Sequence, residues 1–218
     1  MLSHSEENYL KAIYHLSQID SDGVSTNSIA QRMQTKASSV TDMIKKLSEK
    51  GFMNYQKYQG VTLTAQGFLA AKMVIRKHRL WEVFLVEKLD FSWDEVHAVA
   101  EELEHIKSEK LINKLDAFLG FPKEDPHGDP IPDVKGDIVI SEKNLLAEME
   151  PNQVCICVGV KDTSSEFLQY LDRQHISLGK EILIKAKESF DNSMIIEVNN
   201  TDLMISNKIA NNLFVKKH

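Results

Sequence analysis

The feature that most constrains this chain is a change in the period of its apolar residues. In the first half they recur every three or four positions, as in "EENYLKAIYHL", where Tyr9, Leu10, Ile13 and Leu16 share one side of a helix. In the last third they alternate, as in "VCICVGV", "EILIKAKES", "MIIEVNN" and "DLMISN", the pattern of short half-buried strands. Four of the five prolines lie between residues 122 and 132, in "PKEDPHGDPIP", and mark a linker or ordered loop between the two regimes. The chain must therefore build helices first and a small β part afterwards.

With 218 residues and 42% hydrophobic content, it can form one large or two to three small domains with real cores. No stretch approaches the roughly 18 apolar residues of a membrane helix, and the polar start "MLSHSEENYL" is unlike a secretory signal. No membrane partner and a cytoplasmic location are expected. Cys155-x-Cys157 would point to one face of a strand, and reads as a pair of reduced core residues rather than a redox or metal pair. The net charge of -6 argues against a nucleic-acid partner until its distribution is considered. Residues 1–79 hold 11 Lys and Arg against 6 Asp and Glu, whereas residues 80–218 hold 15 against 26. A basic front and an acidic back suggest nucleic-acid contact by one part only.

"SHSEENYLKAIYHLSQI" opens with Ser3-x-x-Glu6, a capping box. "TNSIAQRMQ" and "KASSVTDMIKKLSEKG", the second closed by Gly51, read as a helix-turn-helix. "FMNYQKYQGVTLT" reads as a hairpin in which Gly60 supplies a positive φ, which makes the unit a winged helix. Thr64 is placed to cap the long helix "AQGFLAAKMVIRKHRLWEVFLVEKL". "SWDEVHAVAEELEHI", with a second capping box at Ser92-x-x-Glu95, and "SEKLINKLDAFLGF" add two helices. Their apolar Trp81, Phe84, Leu85, Leu111, Leu115 and Phe118 exceed what so short a bundle needs, so part of this face is expected to bury against a second copy. The five or so strands around the helical "SSEFLQYLDR" suggest a compact SH3-like barrel.

"AEELEHIKSE" crowds charge onto what reads as a helix, with His97, Glu101, Glu104 and His105 on one stripe. One helix earlier, His78 and Glu82 stand four apart. Carboxylates brought together repel by about 1–4 kcal/mol per close pair, and a divalent cation reverses that sign. Oxygen and nitrogen donors without thiolate suit Mn2+ or Fe2+ better than a tetrahedral structural Zn2+. In the recognition helix, Lys36, Ser38, Ser39, Thr41 and Asp42 would face the major groove, with Lys45 and Lys46 near phosphates. The wing residues Tyr55 and Lys57, with Tyr58 and Gln59, would touch the backbone or minor groove. Two rival readings are a di-metal carboxylate bundle enzyme and a winged helix that senses a small organic ligand. The first needs two Glu-x-x-His pairs and the chain offers one, Glu102-x-x-His105, so no enzyme is expected. The second predicts indifference to chelators.

Taken together, "EENYLKAIYHL", the winged helix, "RKHRLWEVFLVEKL" and "EVHAVAEELEHIKSEKLINKLDAFLGFPKEDPHGDPIP" resemble the diphtheria-toxin-repressor family of iron- and manganese-dependent transcriptional regulators, over residues 5–132. The tail is similar to the SH3-like third domain of longer members. The resemblance implies a mainly α chain with a small β domain: a winged helix-turn-helix over residues 1–73, a helical dimerisation and metal-binding domain over 74–135, and an SH3-like barrel over 136–218. It also implies a primary metal site at Asn8, Glu101, Glu104 and His105. A second site would use His78, Glu82 and His97, with help from Asp162 and Glu166 or from Asp125 and His127. Asn8 offers a neutral carbonyl where relatives often carry Asp or Met, and Lys11 stands where a binuclear manganese member has Glu. Glu101 stands where iron-type members carry Cys, which tilts the choice to Mn2+, with Fe2+ as the alternative and other divalent metals substituting in vitro. The implied activity is repression of metal-uptake genes by a metal-loaded homodimer on a palindromic double-stranded DNA operator.

Overall fold

The structure, a computed structural model, describes residues 2–19, 23–56, 60–139 and 141–217. The chain forms two compact units. One comprises Met1–His78, Glu101–Ile112 and Pro132–Ile138, and the other Arg79–Ala100, Asn113–Ile131 and Val139–His218. The helical stretch 74–135 thus contributes to both.

In the first unit, α1 (His4–Ser17) begins at the expected capping box: Ser3 Oγ accepts from Glu6 N and the Glu6 carboxylate accepts from Ser3 N. α2 (Thr26–Arg32) and α3 (Ala37–Glu49) follow as the helix-turn-helix. Val40, Ile44 and Leu47 are spaced by four and three residues, so α3 buries one stripe and leaves the opposite face to solvent. Gly51, at φ 78, ends α3 because the left-handed turn lets Phe52 N reach Leu47 O and Gly51 N reach Ser48 O. β1 (Met53–Gln56) and β2 (Gly60–Leu63) pair antiparallel as the wing, with Gly60 at φ 84, and Val24 joins their edge through two 2.9 Å hydrogen bonds with Val61. Residues 57–59 at the wing tip, Lys57 among them, lie outside the described residues. Leu10, Ile13, Ile29, Val40, Ile44 and Leu47 form the core with Met53 and Val61, each large aliphatic side chain contributing about 1.5–3 kcal/mol.

α4 (Ala65–Leu89) starts where Thr64 Oγ1 accepts from Gly67 N at 3.1 Å. α5 (Val96–Leu103) is shorter at both ends than its pattern predicts. Glu95 accepts from both the backbone and the hydroxyl of Ser92, so that hydroxyl donates instead of capping, and Glu104 and His105 fall in the turn after Leu103. α6 (Glu109–Phe118) keeps Leu115 inside and leaves Leu111 and Phe118, seven residues apart on one face, 41% and 66% exposed. Trp81 and Leu85 are buried, and the Phe84 ring stands edge-on to Trp81 and beside Phe118. The surplus apolar residues are thus partly internal.

In the second unit, the proline-rich stretch is an ordered turn, closed by Asp125 N to Asp129 O, Gly128 N to Asp125 O and Ile131 N to Lys123 O. The strands β3 (Asn144–Leu145), β4 (Val154–Val160), β5 (Glu181–Lys187), β6 (Met194–Val198), β7 (Thr201–Ile205) and β8 (Leu213–Lys217) form one antiparallel sheet in the order β3-β8-β4-β5-β6-β7. That is one strand more than the pattern suggests. α7 (Ser165–Arg173) packs Leu168 and Leu171 into the core of this sheet, and α8 (Asn207–Ala210) adds Ala210. Cys155 and Cys157 are buried free thiols on the core face, where burial pushes them up to about 12 and about 11, so they stay protonated and inert.

A Cβ at Gly67 would stand 1.9 Å from the Phe52 carbonyl oxygen, which is itself bonded to Thr64 N. Alanine normally gains about 1 kcal/mol over glycine in a helix. Here the overlap with fixed backbone decides, and Gly67→Ala is expected to cost about 1–3 kcal/mol. Urea unfolding checks this, and an unchanged or higher midpoint would show that the Phe52 turn yields.

Candidate metal centre and nucleic-acid interface

In the second unit, Glu82 of α4 and Asp125 and His127 of the proline-rich turn converge: all three are buried, and their ligand atoms lie within 4.8 Å of one another. Gly128, at φ 82, lets the turn lie flat on β4, where an added Cβ would meet Val158 O at 2.1 Å, and Val160 N then bonds to His127 O. Asp125 Oδ1 accepts from the backbone N–H groups of His127 and Asp129, so one oxygen shapes the turn while the other faces Arg79 Nε at 3.4 Å. Arg79 also reaches Asp129 and donates to the Pro130 carbonyl.

The His127 imidazole is aimed by its surroundings. Its Nε2 lies 2.7 Å from Trp93 O, an acceptor only, so Nε2–H donates there and Nδ1 is left towards Glu82 Oε1 at 3.8 Å. His97 Nδ1 approaches the same Glu82 oxygen at 3.4 Å from a more exposed position. Burial, then the charges of Glu82 and Asp129, push the Asp125 carboxyl up to about 7, against the pull of Arg79 and His127. Burial lowers the His127 pKa, but hydrogen bonding to Glu82 and the nearby carboxylates outweigh it and raise it overall. Two buried carboxylates and an imidazole thus share one small space, and Asp125 and His127 hold their protons more tightly there than in water. The donor set, two carboxylates and an imidazole nitrogen, suits a divalent ion of intermediate hardness.

Asp162 and Glu166 are not part of this cluster. Asp162 Oδ1 accepts from Ser164 N ahead of α7, and the hydrogen bonds with Ser164 hold its carboxyl below the usual range. Glu166 is exposed on the first turn of α7.

In the first unit, the expected primary ligands are together but occupied. Glu104 has no exposed surface; Lys11 Nζ lies 2.7 and 2.8 Å from its two oxygens and His78 Nδ1 2.7 Å from one of them. Burial alone would raise the Glu104 pKa, yet the hydrogen bond with His78 and the ammonium of Lys11 bring it below the ordinary value. Glu101 stands 3.5 Å from the same ammonium. His105 turns Nδ1 to Glu7 at 2.6 Å and stacks on His4, and Lys77 faces Glu7 at 3.6 Å. The Asn8 carbonyl oxygen is buried without a hydrogen-bond partner and lines a ≈ 260 Å³ cleft with Lys11, Arg32 and Glu101. The Lys11 ammonium thus stands between the two carboxylates, and His105 Nε2 lies 3.9 Å from Glu104. Glu7 was missed in the sequence, where only its position next to Asn8 could have pointed to it.

The exposed face of α3 carries Lys36, Ser38, Ser39, Asp42 and Lys45. Lys46 is exposed but pairs with Glu6 at 3.0 Å. The Thr41 hydroxyl donates to Ala37 O, so it is turned along its own helix, and Tyr55 of the wing is 39% exposed.

Residues 1–61 match the iron dependent repressor N-terminal DNA binding domain, residues 64–133 its metal binding and dimerisation domain, and residues 144–217 the FeoA domain. A manganese-dependent transcriptional repressor in complex with manganese superposes with a TM-score of 0.84 at 33% identity, covering 98% of this chain and 100% of that one. The chain belongs to the iron-dependent repressor family. ScaR with bound Zn2+ matches this repressor at 34% identity and a TM-score of 0.75, over 98% of this chain and 99% of that one. An HTH-type transcriptional regulator of Methanocaldococcus jannaschii is 36% identical over 118 residues, 54% of this chain and 94% of its own length. The iron-dependent repressor IdeR of Mycobacterium leprae is 34% identical over 133 residues, 60% of this chain but only 56% of that protein. Among the described residues no helix is long and apolar enough to cross a membrane.

The raised pKa values fix the direction of a pH effect. The unfolded chain releases the Asp125 proton near 3.8 and the folded chain holds it to about 7, so folding binds protons between those values and stability falls as pH rises through that window. His127, also raised, acts in the same direction near its own titration. In chelator, the melting temperature of wild type is expected to fall more steeply from about pH 5 to about pH 8 than that of Asp125→Ala. Parallel profiles would contradict this assignment.

Proposed function

We propose that this repressor binds a palindromic DNA operator as a homodimer in the cytoplasm when a divalent metal ion, Mn2+ foremost and Fe2+ as the alternative, is held by Glu82, Asp125 and His127. The observation that carries the reading is the buried convergence of these three ligand side chains within 4.8 Å of one another. His97 is near enough to Glu82 to take part. A bound ion would supply positive charge to two buried carboxylates. Glu82 and Asp125 would hold it through carboxylate oxygens, His127 through Nδ1, and the Trp93 carbonyl keeps that nitrogen presented.

Operator contact is assigned to the exposed face of α3, with Ser38 and Ser39 small enough for close approach to base edges and Lys36 and Lys45 near phosphates. The exposed Leu111 and Phe118 of α6 are the apolar surface proposed for pairing with a second copy. The target genes would be those of metal uptake, with the repressor closing its own supply.

Fluorescence anisotropy on a palindromic operator, titrated with Mn2+, Fe2+ and Zn2+ separately, tests the reading. A metal-linked coupling of about 1–3 kcal/mol corresponds to a gain of about 5- to 150-fold in operator affinity. His127→Ala should lose that gain while remaining folded and dimeric; a retained gain would place the effector site elsewhere. Neutralising about six phosphates should give a slope of log K against log salt near about -5, and a flat dependence would exclude this mode of DNA contact.

A further inference from the structure

We propose that the ammonium of Lys11 is the resident cation of Glu101 and Glu104, so that this place in the fold takes no metal ion and the metal response rests on Glu82, Asp125 and His127. The proposal deepens the metal-dependent reading above and rests on it.

Four observations carry it. Lys11 Nζ contacts both oxygens of a carboxylate that has no exposed surface, at 2.7 and 2.8 Å, and stands 3.5 Å from Glu101. The remaining side of Glu104 is taken by His78. His105 turns Nδ1 to Glu7, which also faces Lys77, and holds Nε2 3.9 Å from Glu104, so a dication entering here would meet two ammonium groups beside that one ring nitrogen. Among the described residues, the Asn8 carbonyl oxygen here is buried without a hydrogen-bond partner, and as a neutral group it cannot balance a double charge by itself. A lysine therefore joins α1 to the turn after α5 permanently, where a metal would join them conditionally.

The inference is tested by counting bound ions. The full chain, stripped with chelator and dialysed, is titrated with Mn2+ while the free ion is followed by electron paramagnetic resonance. Glu101→Gln, at a carboxylate whose side chain is 53% exposed, and Glu104→Gln are expected to bind as many ions per chain as wild type. Lys11→Glu is expected to bind one ion more, and Lys11→Gln serves if an added carboxylate prevents folding. Loss of one ion in Glu101→Gln, or an unchanged count in both folded Lys11 variants, overturns the proposal. His127→Ala separates the two readings: it should lose an ion whatever happens at Lys11. If it loses none while Glu101→Gln does, the ion belongs to the site assigned here to lysine. If wild type binds no Mn2+ at all, the metal reading falls and this proposal with it.

Discussion

A carboxylate with no exposed surface stays ionised only beside cations, and the DNA-binding unit is organised around one such group. Glu104 is clamped by Lys11, 93 residues away in sequence, and by His78, 26 residues away. Removing one partner of a buried pair typically costs about 3–5 kcal/mol, more than any single surface contact in the unit can return. The clamp is one of three electrostatic anchors on α1. Glu6, held down at about 2 by its hydrogen bonds to Lys50, Ser3 and Lys46 despite burial, ties α1 to the C-terminal end of α3, and Glu7 ties it to His105 and Lys77. The helix that would read DNA and the turn that holds Glu104 are thereby fastened to the same rod.

The cluster in the other unit follows the opposite logic. Glu82 and Asp125 are buried like Glu104, and Arg79 is shared among Asp125, Asp129 and the Pro130 carbonyl. The carboxyl of Asp125 responds by keeping its proton, whereas that of Glu104 gives its proton up. Two acidic centres of similar burial thus differ in how their charge is held, which is the physical ground for proposing the second as the place of a dissolved ion.

What the sequence made legible was local. Ser3 and Glu6 are three residues apart, Gly51 sits where a helix needs a left-handed residue, and the alternation through Cys155 and Cys157 sorts one strand into core and surface; each depends on neighbours within a turn or a pleat. The acidic residues near position 104 were conspicuous for the same reason. What remained hidden was contact between distant segments. Nothing in "EENYLKAIY" announces that Lys11 reaches Glu104, and nothing in "AEELEHI" announces that the helix stops at Leu103 so that Glu104 can turn inward. Thr41 shows the same on a smaller scale: nothing in the sequence announces that its hydroxyl donates to the Ala37 carbonyl one turn back.

Trp93 belongs to the core beneath the β-sheet, its indole N–H donates to Asp172 of α7, and its main-chain oxygen receives the His127 proton. The orientation of a candidate ligand is therefore inherited from how an indole is seated in a β domain, through a carbonyl that no side-chain substitution can remove. Substitutions far inside that domain are thus able to turn the His127 ring while Glu82, Asp125 and His127 themselves stay the same. At the proposed site, geometry would be set as much by the β domain as by the three side chains.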